Sequence, residues 1–288
     1  MSDPKKDEIT GVESTGHSWD GIEELNNPLP RWWLWTLYLC IIWAIGYTIA
    51  YPAWPGITKA TSGLLGYSTR GEVAEQIAVV EARNAPLINA LTDIELAALP
   101  ENDDLHRFAV AGGGAIFRTY CSQCHGSGAA GATGYPNLLD DDWLWGGKID
   151  QIATTIRHGI RNDVDPDALW SQMPAFGDIL EPAEINDVVQ YVRAMSGQGH
   201  DAAAAEAGSE IFLEQCSACH GEDGKGNRDM GAPNLTDAIW LYGGSVETLT
   251  YTVTNSRFGV MPPWSNRLSE AEIKAVAAYV HQLGGGEE

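Results

Sequence analysis

Residues 120–128 read YCSQCHGSG and residues 215–223 read QCSACHGED, so one chain carries Cys-x-x-Cys-His twice. Two cysteines three positions apart on one helical turn can form thioethers with the two vinyl groups of a single haem. The adjoining histidine then lies beneath the iron as an axial ligand. Cys121, Cys124 and His125 would hold one haem, and Cys216, Cys219 and His220 a second. A thiol redox pair would be expected near a βαβ pattern, with a depressed cysteine pKa; the chain has no such pattern. A zinc ribbon would bring the two pairs within roughly 15–20 residues of each other. Neither alternative calls for a histidine after both pairs.

An iron in each motif needs a ligand on its other face, and each half of the sequence offers one. Met173 in SQMPAFG and Met261 in GVMPPW are both followed by proline and lie in matched positions. A thioether is a soft, neutral ligand that favours ferrous iron and raises the potential. Met195 and Met230 lack a methionine partner in the other half, and gap-filling in a core suits both. His158 and His281 are rival ligands, also without histidine counterparts. The default expectation is local ligation, with Met173 facing His125 and Met261 facing His220. An iron with both axial positions filled has no place for oxygen or substrate, so the expectation is electron transfer and not catalysis.

Behind these residues lies a duplication. YPNLLDDDWLWGG at 135–147 matches APNLTDAIWLYGG at 232–244, with Pro136 against Pro233 and Trp143 against Trp240 at an offset of 97 positions. Ile116-Phe117 and Ile211-Phe212 precede the two first cysteines at equal spacing, on one face of a short helix. Each unit ends in an amphipathic helix, PAEINDVVQYVRAM and SEAEIKAVAAYVHQL, the second opened by Ser269 and Glu272 at capping-box spacing. HDAAAAEAGS at 200–209 reads as the linker between units. The first unit has the longer stretch from histidine to methionine, owing to RNDVDPDALW.

WWLWTLYLCIIWAIGYTIAY, residues 32–51, is twenty residues without a charge. A helix of that length spans roughly 30 Å, the thickness of a bilayer core. Tryptophan and tyrosine crowd its two ends, as at membrane interfaces. A cleaved signal peptide would have a shorter apolar core closer to Met1 and a small-residue cleavage site. Cys40 lies in this run and reads as a small hydrophobe, so no cysteine remains for a disulfide framework. The expected organisation is mainly α: an N-terminal segment 1–29, an anchor helix 30–52, a helical connector 53–104 with a helix ending near Pro86, and haem units 105–198 and 199–286. The net charge of −22 argues against nucleic acid and for a basic partner.

Each haem unit resembles a class I cytochrome c domain. With WDGIEELNNPLPRWWLW ahead of the anchor, the whole chain resembles the membrane-anchored dihaem subunit of cbb-type cytochrome c oxidases, the C-family haem–copper oxidases. The resemblance implies two covalently bound haem c groups at the residues above. It implies that the carbonyls of Pro136 and Pro233 orient the two ligand imidazoles. It also implies a bacterial inner membrane, a cytoplasmic N-terminus and periplasmic haem units. The partners would be a soluble donor cytochrome c, the monohaem cytochrome subunit and the oxygen-reducing catalytic subunit. A free-standing tethered shuttle and the cytochrome subunit of a membrane dehydrogenase are the competing expectations.

Overall fold

Asp20 and Gly21 both have positive φ (51° and 83°), a backbone that turns one strand directly into the next. The computed structural model describes residues 5–288, so residues 1–4 of the N-terminal segment lie outside the described residues. The turn joins β1 (Ser14–Trp19) to β2 (Ile22–Leu25) in an antiparallel hairpin, with Trp19 opposite Ile22 and Ser14 opposite Leu25. Sequence reading missed this hairpin, although Asp-Gly between hydrophobic residues is its usual signal.

The hairpin belongs to the first of two compact units, residues up to 83 and residues from 84 onward. In the first unit α1 (Arg31–Ala50) is twenty residues long with no buried side chain. Among the described residues it is the one helix long and apolar enough to cross a membrane. Pro30 precedes it, and the last carbonyls are met by the backbone N–H groups of Leu64, to Ile49, and Leu65, to Ala50. Cys40 is exposed on this helix.

The connector departs from expectation. α2 (Thr69–Asp93) runs through Pro86 instead of ending there. Proline cannot donate one turn back, and the second unit holds the far end of the helix by other means. Leu91 is buried, and Lys274 Nζ donates to the carbonyls of Thr92 and Ile94, both at 2.7 Å.

The haem-motif repeats form α3 (Asp103–Ile116), α4 (Ser122–His125), α5 (Ile149–His158) and α6 (Pro182–Met195), then α7 (Ala202–Gln215), α8 (Ser217–His220), α9 (Val246–Asn255) and α10 (Glu270–His281). The stretch read as a linker at 200–209 is mostly helix α7. Asp201 caps it by accepting from Ala203 and Ala204, and alanine is the strongest helix former.

The units 105–198 and 199–286 do not each close on themselves. α3 packs on α10, not on α6, while α6 packs on α7 and α9. One lobe therefore holds α3, α4, α5 and α10, and the other α6, α7, α8 and α9. The side chains agree. Phe117 packs at a tilt against Tyr279 with centroids 5.4 Å apart, and Phe212 against Tyr191 at 5.3 Å, each aromatic pair joining one repeat to the other. A Cβ on Gly113 would lie 2.0 Å from the Ala275 carbonyl oxygen, and one on Gly208 2.0 Å from that of Asp187, so glycine permits both helix crossings. Arg157 on α5 grips Glu270 at the start of α10 with two hydrogen bonds.

Candidate haem centres

Helix α3 widens at its end into a π turn, Phe117–Cys121, which delivers the first cysteine to the short helix α4. None of the four motif cysteines is tied up in a disulfide. Burial pushes Cys121 and Cys216 up to about 11, the opposite of what a redox-active thiol needs.

His125 Nδ1 lies 3.2 Å from the Pro136 carbonyl oxygen, and His220 Nδ1 lies 3.1 Å from that of Pro233. A carbonyl only accepts, so the proton sits on Nδ1 and the Nε2 lone pair is left for a metal. Burial lowers the pKa of both imidazoles, which favours the neutral, ligating form. The loop bringing proline back over histidine depends on glycine. Gly131 and Gly226 have φ of 68° and 82° and donate to the His125 and His220 carbonyls at 2.9 and 2.8 Å. A Cβ at either would come within 2.4 Å of a backbone oxygen. Free thiol pairs beside fixed, neutral imidazoles are the donor set that a covalently bound haem requires, so the residues present fit one haem c per motif.

The methionines fall in the lobes opposite to those local ligation requires. Met261 packs against the core that contains Phe117 and Ile156 of the first repeat. Its backbone exchanges hydrogen bonds with Ile160 in both directions, at 2.9 and 3.0 Å. Met173 offers its carbonyl to the Ser256 hydroxyl, at the end of α9 in the second repeat. The chain stays with the first lobe through Leu169, whose N–H donates to the Gly159 carbonyl, and the stretch 170–181 joins the lobe of His220, where Phe176–Asp178 packs on α9. Packing therefore associates Met261 with the lobe of His125 and Met173 with that of His220, which corrects the local pairing.

The rival ligands are engaged elsewhere. His158 Nδ1 lies 3.0 Å from Asp165, and His281 Nε2 lies 2.8 Å from the Glu287 carbonyl. Met195 packs in the core of the second lobe. Met230 closes a short turn, Arg228–Met230, within the longer second histidine-to-proline loop.

Comparison with known proteins matches most of the chain to one family. Residues 11–58 match the family described as the N-terminal domain of cytochrome oxidase-cbb3, FixP. Residues 108–192 and 203–280 each match cytochrome C oxidase, cbb3-type, subunit III. The chain belongs to the subunit III family of cbb3-type cytochrome c oxidases. Among its relatives, a cbb3-type cytochrome c oxidase subunit CcoP of Cereibacter sphaeroides is 58% identical over 286 residues, covering 99% of both chains. A subunit CcoP of Rhodobacter capsulatus is 55% identical, covering 96% of this chain and 97% of its own. A subunit FixP of Sinorhizobium medicae is 48% identical with both chains fully covered.

Within this subunit III chain, several residues that support the centres escaped sequence reading. Gly113 with Gly208, and Gly131 with Gly226, recur in the two repeats, and extending the repeat alignment to its glycines would have found them. Asp142 is another. Burial and the neighbouring Asp237 and Asp140 push its carboxyl up to about 6. The folded state thus favours the protonated form. Its stabilising contribution is complete below the ordinary aspartate value of 3.8 and is lost as pH rises through about 6. Asp142→Asn should remove that slope, so melting temperatures of variant and parent should diverge upward from pH 4 to 7, in favour of the variant. Parallel melting curves across that window would count against the raised pKa.

Proposed function

We propose that this chain is the dihaem electron carrier of a cbb3-type oxidase, taking single electrons from a soluble donor cytochrome c and passing them to the monohaem cytochrome subunit and the oxygen-reducing core. The observation that carries this reading is the pair of imidazoles, each held by a prolyl carbonyl beside two free thiols and each sharing a lobe with one methionine segment. When bound, haem c supplies a reversible one-electron couple. Cys121, Cys124 and His125 would hold one group with Met261 on its far side; Cys216, Cys219 and His220 would hold the other with Met173.

The residues do the rest. Prolyl carbonyls keep each imidazole in one tautomer and orientation, so little reorganisation accompanies a change of charge on the metal. The methionines would fill the remaining position with a neutral sulfur, which would exclude oxygen and keep the chain from being itself a catalyst. With 39 acidic against 17 basic residues, the chain steers a basic donor toward it, and the on-rate falls with salt. Helix α1 anchors the chain in the inner membrane with the N-terminus cytoplasmic and the haem lobes periplasmic.

The test is purification of the chain from its native membranes. Two haem groups should remain covalently attached after denaturation, and b-type haem and copper should co-purify. A chain with fewer than two covalent haems, or one that leaves the membrane without those metals, would refute the assignment.

A further inference from the structure

Two half-buried arginines sit in the seam between the lobes without an acidic partner. Arg161 lies over the Trp145 ring, 5.6 Å from its centroid, and Arg257 over Tyr242 at 4.8 Å. Among the described residues neither arginine reaches a carboxylate. Arg161 bonds only the carbonyls of Ser171 and Gly259, and Arg257 only Thr252 and the Thr248 carbonyl. On a chain with an excess of 22 negative charges, two cations drawn out of water with no counter-charge mark places where an anion belongs. Beside them lies a second, independent observation. Trp145 Nε1 is the one buried side-chain nitrogen or oxygen among the described residues with no hydrogen-bond partner.

The four side chains form one cluster across the seam, in which Trp145 and Tyr242 occupy matched positions of the two repeats. Trp145 of the first repeat abuts Gly231 of the second, where a Cβ would come within 2.3 Å of the indole. Tyr242 of the second abuts Gly134 of the first, where a Cβ would lie 3.1 Å from the ring. Gly134 also donates to the Leu241 carbonyl at 2.8 Å. Burial lowers the Arg161 pKa and raises that of Tyr242, and each arginine acts electrostatically on Tyr242.

We infer that this seam is the carboxylate-binding site of the two haems, with Trp145 and Arg161 on one side and Tyr242 and Arg257 on the other receiving haem propionates. This rests on the reading of one haem per motif, since covalently held haem is the anion source that the fit of the two motifs supplies. The two haems then turn their carboxylate edges toward each other, and one set of charges sets both potentials. Electrons would cross between lobes at this seam, where residues from both repeats interlock.

The experiment uses the full chain with both haems and compares Trp145→Phe, Arg161→Gln and Arg161→Lys with the parent. Covalent haem content is measured first, then the propionate bending bands of the resonance Raman spectrum and both reduction potentials. Trp145→Phe removes the donor while keeping an aromatic ring, and should shift a propionate band. Arg161→Gln should lower the potentials of both haems, because an uncompensated carboxylate stabilises ferric iron, and Arg161→Lys should restore most of the loss. If two haems are present and both bands and potentials stay at parental values in Trp145→Phe and Arg161→Gln, the seam does not hold the carboxylates. A fall confined to one haem in Arg161→Gln would overturn the shared set of charges. A parent chain lacking covalent haem would instead sink the underlying reading.

Discussion

In a chain whose second motif is disabled by Cys216→Ala and Cys219→Ala, the further change Met261→Ala should open the remaining haem, at His125, to carbon monoxide. Met173→Ala in the same background should leave that haem six-coordinate. The expectation follows from packing. Met261 lies against the first-repeat core and bonds Ile160 through its backbone, while Met173 sits at the end of α9. Losing the thioether frees one axial position, and alanine offers no ligand to replace it. The effect is all or none in the ferrous spectrum: carbon monoxide binding at the surviving haem in one double-repeat variant and none in the other. Local ligation requires the opposite outcome, so the reversed pattern would sink the exchanged assignment. Met261→His is the gentler companion, keeping six ligands and lowering the potential of the same haem.

Gly113→Val and Gly208→Val should each cost at least about 2 kcal/mol of stability, within the range for forcing extra atoms into a packed contact. Glycine within a helix is itself unfavourable by roughly 1 kcal/mol relative to alanine, so replacement on a free helix surface would be neutral or stabilising. The sign is reversed here because a Cβ at either position lies 2.0 Å from a backbone oxygen of the facing helix, and backbone cannot swing aside like a flexible side chain. The damage should also be directional. Hydrogen exchange in Gly113→Val should rise in α10 and leave α6 protected, whereas Gly208→Val should expose α6 and spare α10. Loss of protection in α6 on changing Gly113 would mean that each repeat closes on itself in solution.

The proposed chemistry was legible in the sequence alone, because the donor set for covalent haem attachment is local. Cys121, Cys124 and His125 need only one turn of helix to present the right atoms, and so do Cys216, Cys219 and His220. The anchor was equally legible, since twenty uncharged residues decide it without reference to anything else. Periodicity placed the closing helices α6 and α10, and their boundaries need only local capping. Two local signals were present and passed over: Asp20-Gly21 for the hairpin, and Asp201 before an alanine run for α7.

Only the tertiary structure decided which helix closes which lobe and therefore which methionine segment shares a lobe with which histidine. A duplicated sequence offers two packings with nearly the same contacts, because α6 and α10 present equivalent faces: Tyr191 meets Phe212 much as Tyr279 meets Phe117. No residue type or spacing within one repeat distinguishes them. The connection between repeats does, since only residues 196–201 separate α6 from α7, and so short a link keeps consecutive helices in contact. With α6 taken by α7, α3 is left to α10, and the seam of Trp145, Arg161, Tyr242 and Arg257 exists only because the chain crosses between lobes after Leu169.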